Sequence, residues 1–236
     1  MEKMERNYIT DLQITDAYSQ YLSEQISSRA SFLLSPNGTP VSKEYPENES
    51  ASKFYDKIWK RKPKYNAVHP YMPVIVDLYK KYSQNVSNIL EVGAGFGNLA
   101  VMLIEAKKPL SYTAYEFSKA YKHIEKLFKN IPMDCETHVY AESFRECSNI
   151  EKYDTFIATE IFEHIFWDIE FILKIPKGAS LFFSVPTKHG KGHVRAFLLP
   201  ESVWLRYHDF LDILEIKTVC LHEGIPKWWC VAAKKK

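Results

Sequence analysis

The sequence predicts an α/β fold: a doubly wound, seven-stranded, mainly parallel sheet with an antiparallel last strand and a helical N-terminal extension. Three observations predict it. From residue 87 onward, short apolar runs alternate with amphipathic helical stretches, the pattern of successive βαβ units. One apolar run leads into a glycine-rich turn, Gly93-Ala94-Gly95-Phe96-Gly97, that opens a helix. The last two apolar runs are joined across Gly224-Ile225-Pro226 with no room for a helix, so they must pair antiparallel.

The elements follow in order. The first part of the chain is helical in texture. Leu12, Ile14, Tyr18, Tyr21, Leu22 and Ile26 recur at three-to-four spacing within 10–34. Ser35-Pro36-Asn37-Gly38-Thr39-Pro40 breaks that pattern, and the polar stretch 44–50 follows. A second helical pattern covers 52–62 and is ended by Pro63; a third follows Pro70 and Pro73 through Tyr82. This divides the chain into a helical extension or lid, 1–85, and a sheet domain, 86–236. Strands are predicted at 88–92, 111–115, 135–139, 154–158, 180–185, 214–220 and 228–233. Helices are predicted at 98–107, 118–130, 162–174 and 200–211. Lys234–Lys236 reads as a solvated basic tail.

Composition narrows the class. With 46% hydrophobic and 25% charged residues the chain is globular. No apolar run approaches the ~18 residues of a membrane span, and the start, MEKMERNYITDLQ, has no apolar core of a signal peptide. The cysteines Cys135, Cys147, Cys220 and Cys230 form no C-x-x-C pair, which points to reduced thiols and a cytoplasmic protein. Cys220 and Cys230 are expected to be packing neighbours across the late hairpin. Net charge is only +2, no argument for nucleic acid. The 15 Tyr and 14 Phe are a heavy aromatic load that needs a use.

The most informative stretch is Ile89-Leu90-Glu91-Val92-Gly93-Ala94-Gly95-Phe96-Gly97-Asn98. A dinucleotide fingerprint wants glycine where Asn98 stands. Glu91, at the strand's carboxyl end, would repel a pyrophosphate and suits a ligand bearing an ammonium group. The strand, Glu91 and the three glycines resemble the first motif of class I S-adenosylmethionine-dependent methyltransferases, a Rossmann-like fold. The resemblance covers the chain from about Ser87 onward. It implies S-adenosyl-L-methionine as cofactor, its amino group near Glu91 and its carboxylate near Gly93, Ala94 and Gly95. Glu116 ends the next strand nineteen residues after Gly97; the resemblance gives it the ribose hydroxyls, while the plainer reading is an acid favoured by a helix N-terminus. Glu142, beside Ser143, is implied at the adenine amino group. Phe117 and Thr159 are implied to border the same pocket.

The segment Glu160-Ile161-Phe162-Glu163-His164 carries the second signal. If the chain is helical here, Glu160, Glu163 and His164 share one face. The segment resembles two groups, the quinone-biosynthesis O-methyltransferases and the small-RNA 2′-O-methyltransferases. The second resemblance implies Mg²⁺ or Mn²⁺ held by Glu160, Glu163, His164 and a later histidine, for which His193 is the candidate. The first needs no metal: Glu160 then borders the cofactor pocket, and His164 or His193 serves as general base. His69 is a further base candidate, against the plainer reading of a solvated loop histidine.

Upstream, Phe54-Tyr55-Asp56-Lys57-Ile58-Trp59 resembles the aromatic helix that many small-molecule methyltransferases fold over the cofactor. Tyr55 and Trp59 would then cradle the sulfonium by cation–π contact; the alternative is a stripe that packs the extension onto the sheet. Lys57, Lys60, Arg61, Lys62 and Lys64 form a basic run, ordinarily a solvated helix face. The expectation is an enzyme that methylates a small molecule, at a hydroxyl oxygen, with or without metal, in a cavity walled by lid aromatics. The alternatives are an RNA 2′-O-methyltransferase, a nicotinamide-dependent oxidoreductase, which Asn98 and Glu91 oppose, and a non-catalytic module that keeps the fold.

Overall fold

The structure, a computed structural model, describes residues 52–61, 67–83, 87–130, 134–190, 192–220 and 225–236. The predicted helix at 10–34, the breaker cluster, the polar stretch 44–50 and Gly224 lie outside the described residues. The elements are α1 (Ser52–Arg61), α2 (Tyr71–Tyr82), β1 (Asn88–Val92), α3 (Asn98–Lys107), β2 (Ser111–Tyr115), α4 (Tyr121–Asn130), β3 (Glu136–Tyr140), β4 (Thr155–Thr159), α5 (Asp168–Lys174), β5 (Ser180–Pro186), α6 (Pro200–Tyr207), β6 (Leu211–Cys220) and β7 (Pro226–Lys235). None of the described helices is long and apolar enough to cross a membrane.

The seven strands form one sheet in the order β3-β2-β1-β4-β5-β7-β6. The first five run parallel, and β7 lies antiparallel between β5 and β6. Order reverses at β1, whose neighbours are β2 and β4. The loops leaving β1 and β4 therefore diverge, and a crevice opens at the carboxyl ends of these strands, where doubly wound sheets bind ligands.

Period-two alternation sorts the strand residues onto two faces. Ile89, Tyr112, Ile157 and Phe182 pack with Ile75, Leu78, Leu103 and Phe128, so α2, α3 and α4 cover one face. Leu90, Phe156, Phe183 and Val231 pack with Phe171, Ile172, Val203 and Tyr207, so α5 and α6 cover the other. The inner strands β1, β4 and β5 are buried on both sides, as parallel strands between helix layers must be, while edge strand β3 is partly exposed.

Several expected boundaries move. The helix expected at 162–174 begins only at Asp168, because 162–164 is a turn. The helix expected to reach Leu211 stops at Tyr207, and Leu211 instead starts β6, where Leu211 and Ile213 alternate with exposed Asp212. Lys234 and Lys235 are not tail: β7 carries them against Ser180 and Leu211. Cys220 lies opposite Pro226 and Cys230 opposite Lys217, so the two cysteines are not paired neighbours, and Cys220 is exposed.

Candidate functional site

A cavity of about 690 Å³ lies at the carboxyl ends of β1, β2 and β4, roofed by α1. Glu91, Gly93, Ala94, Gly95, Glu116, Phe117, Glu142, Thr159, Glu160, His164 and His193 all line it, with Tyr55 and Trp59 from α1. Glu163 does not.

The glycine loop holds its shape with left-handed backbone. Gly93 has φ 68°, and a Cβ there would lie 2.1 Å from Ile161 Cδ1. Gly95 has φ 56°, and its amide donates to Glu116 Oε2 at 2.8 Å. The Ser118 amide donates to Glu116 Oε1, also at 2.8 Å. Both oxygens of this buried carboxylate are thus aimed by backbone, and each keeps a further lone pair for a ligand hydroxyl.

Glu91 is 1% exposed. Its Oε2 accepts from the Tyr112 hydroxyl at 2.8 Å. No basic side chain of the described residues pairs with it, and burial pushes its carboxyl up to about 7. A cation beside Glu91 would relieve that cost.

The roof is fastened to the loop side. Trp59 Nε1 donates to Ser118 Oγ at 2.9 Å, and Asp56 Oδ1 accepts from the Lys119 amide at 2.8 Å. The Trp59 ring meets Phe96 edge-on at 5.1 Å. Tyr55 packs against Phe117 at 5.4 Å and against His164 at 5.8 Å. Phe54 and Tyr71 also line the cavity, whereas Phe162 is core.

The acidic-histidine segment does not form the expected helical face. Glu160 has φ 56° and starts a turn, which separates its side chain from the neighbouring pair Glu163 and His164. Its Oε1 accepts from Ser184 Oγ at 3.0 Å and its Oε2 from Trp228 Nε1 at 2.8 Å. Burial lifts its carboxyl to about 7. Among the described residues, Glu163, His164 and His193 gather: one ligand atom from each lies within 4.8 Å of the others, and Glu160, held by those bonds, is not in the group. Of the four expected ligands, three converge and Glu160 stands apart. His164 Nδ1 donates to the Gly192 carbonyl at 2.8 Å, which leaves Nε2 with a lone pair. The His193 ring stands 4.7 Å from that of His164, and burial holds its pKa down to about 3. Glu163 is fully buried, and neither of its oxygens has a hydrogen-bond partner.

Sequence reasoning missed what supports this wall. Asp168 is fully buried and accepts from Arg206 Nε at 2.7 Å, Arg206 Nη2 at 2.9 Å and the Tyr207 hydroxyl at 2.8 Å. Arg195 reaches it at 3.2 Å and donates to the Phe162 carbonyl. These bonds tie the His193 loop to the turn after β4. Trp228, on β7, also lines the cavity beside Lys227. No local signal marks Asp168 or Arg195; only pairing across 27 residues does. His69 lines the cavity as well, stacked on Tyr71 at 5.6 Å, and burial lowers its pKa.

No protein-family model matches the chain, and no curated protein matches it by sequence. Solved structures do. A 1,6-didemethyltoxoflavin N1-methyltransferase of Burkholderia thailandensis superposes with TM-score 0.60 and 13% identity, over 98% of this chain and 94% of that one. Magnesium protoporphyrin IX methyltransferase of Synechocystis gives TM-score 0.60 and 11% identity, over 78% and 97%. The N-methyltransferase NodS of Bradyrhizobium japonicum gives TM-score 0.55 and 17% identity, over 70% and 85%. Each of the three was crystallised with S-adenosylhomocysteine. At such identities the likeness establishes a shared fold.

Proposed function

We propose that the chain is an S-adenosyl-L-methionine-dependent methyltransferase acting on a small molecule. The observation that carries the reading is Glu91: a buried carboxylate with one neutral partner, in the wall of a cavity at the switch point of a methyltransferase-like sheet. Such a group fits the cofactor's ammonium. Glu116, held by two amides, fits the ribose diol, and Glu142 and Phe117, which line the same cavity, would take the adenine.

The cofactor supplies an electrophilic methyl group on a sulfonium. The chain's own residues do the rest. Tyr55 and Trp59 roof the cavity and exclude water, which strengthens every polar contact inside. His164, with Nδ1 committed to Gly192, offers Nε2 to an acceptor proton, and Glu160 at about 7 is a second base in reach of neutral pH. Positioning and desolvation account for most of the expected rate. We favour a hydroxyl acceptor. The toxoflavin enzyme and NodS, both N-methyltransferases, keep a nitrogen acceptor as the comparison case.

A second reading adds a divalent ion at Glu163, His164 and His193. Their convergence supports it, with Glu163 Oε1 3.6 Å from His164 Nε2 and neither Glu163 oxygen hydrogen-bonded. Two imidazoles and one carboxylate suit Mn²⁺ better than Mg²⁺, which prefers oxygen donors.

Calorimetric titration with S-adenosylhomocysteine tests the reading. Saturable binding at one site per chain is expected, and it should vanish in Glu91→Ala. No binding would overturn it. Transfer of labelled methyl to a panel of phenols and heteroaromatic amines then separates oxygen from nitrogen acceptors.

A further inference from the structure

A second groove of about 310 Å³ lies on the far side of Trp59 and Phe96, two residues that line both it and the main cavity. Its walls carry Lys60 from α1, Lys119 before α4, and Lys122 and Lys126 on α4, with His123 between them. The spacing of 122 and 126 sets both lysines on one face of α4. One acid faces them: Asp56, already held by the Lys119 amide at 2.8 Å and its Nζ at 3.9 Å. Among the described residues, no carboxylate pairs with Lys60, Lys122 or Lys126.

This clustering is local. The whole chain carries only +2, so the groove concentrates positive charge that the rest of the surface balances. Lysines facing each other across a groove repel, and solvent screens that only in part. A multivalent anion between them turns the repulsion into attraction on both walls. It would join α1 to α4 beside the bonds that already fasten the roof, Trp59 to Ser118 and Asp56 to Lys119.

We propose that this groove binds an oligophosphate, and that its occupant latches α1 over the main cavity. Its size suits a chain of two or three phosphoryl groups rather than an extended strand. Lysine ammonium groups are point-charge donors suited to phosphate oxygens. The floor offers the rings of Trp59, Phe96 and His123, in edge contact at 5.1 and 5.2 Å, so a nucleoside di- or triphosphate is accommodated as well as an inorganic one.

The test is calorimetric titration of the full chain with inorganic tripolyphosphate and, separately, with ATP. Saturable binding is expected that weakens roughly tenfold or more in Lys122→Glu/Lys126→Glu and falls as salt rises. The milder Lys122→Gln/Lys126→Gln pair should show the same direction if the charge reversal disturbs folding. Tighter binding of ATP than of tripolyphosphate, persisting with S-adenosylhomocysteine filling the main cavity, would assign the ligand a base; equal binding would assign phosphate alone. Hydrogen exchange of the 52–61 amides should slow on adding tripolyphosphate to the unaltered chain and stay unchanged in the variants. That readout needs no cofactor, so it is independent of the proposed methyltransferase activity. Absence of saturable binding, equal binding by the variants, or tighter binding of a single-stranded oligonucleotide than of either phosphate would overturn the site. Unchanged exchange in α1 would overturn the latch.

Discussion

Glu91→Gln replaces one buried oxygen by nitrogen and keeps the acceptor that the Tyr112 hydroxyl needs. In the unliganded chain burial holds the Glu91 carboxyl at about 7. An ammonium group docking beside it returns that value toward 4.5, so binding at pH 6 must first drive off a proton. The penalty scales as one plus the ratio of protonated to ionised carboxyl. It is roughly elevenfold at pH 6 and roughly 1.3-fold at pH 7.5, so S-adenosylhomocysteine should bind roughly eightfold more weakly at pH 6, or ~1.2 kcal/mol. Calorimetry in two buffers of different ionisation heat should count close to one proton released at pH 6. Glu91→Gln should flatten the pH profile and weaken binding at pH 7.5 by ~1.5–3 kcal/mol, the worth of a charged hydrogen bond. The linkage to folding has a definite sign. Because folding raises this acid's pKa, its contribution favours the fold below 4.5 and is lost as pH rises through about 7, so the variant should gain stability over the native chain above pH 7. An unchanged affinity, or a pH slope that survives the substitution, would refute the assignment of Glu91 to the ammonium.

Other outcomes follow from the same geometry. Gly93→Ala forces a side chain onto φ 68° and against Ile161, so thermal denaturation should show a loss of roughly 1–2 kcal/mol, with weaker cofactor binding. Asp168→Ala strands Arg195 and part of Arg206 in the interior, and urea denaturation should register ~3–5 kcal/mol. Trp59→Phe keeps an aromatic side chain in the roof and deletes the bond to Ser118; S-adenosylhomocysteine affinity should fall by ~0.5–1.5 kcal/mol. Mn²⁺ titration followed by electron paramagnetic resonance should show one site that Glu163→Gln removes; an identical titration in both proteins would dispose of the metal reading.

The sheet was legible because its signals are local. Alternation in Ile89-Leu90 and Phe182-Phe183 reports burial on two faces, and the glycine turn reports a strand–helix junction. The residues that gather in the cavity were legible for the same reason: Glu91, Glu116 and Thr159 stand at or just beyond strand ends, and the topology brings such ends together. The turn at 160–164 was not. Its spacing is as good for a helix as for what forms, and the decision lies elsewhere: Ser184 and Trp228 capture Glu160, while Arg195 donates to the Phe162 carbonyl. Those partners are 24 or more residues away, beyond any periodicity argument. Trp228 opens a continuous apolar run and so reads as core, yet its indole N–H also donates to a cavity carboxylate.

The position of β7 has a consequence for how the molecule is made. β6 meets the sheet only through β7, and β7 also borders β5, so an inner place is filled after the strands on both its sides have been synthesised. Until residues 226–235 emerge, β5 presents a bare hydrogen-bonding edge and Glu160 lacks its indole partner. A nascent chain halted before Pro226 should therefore expose an aggregation-prone strand edge and an unfinished cavity, and complete both in one late step.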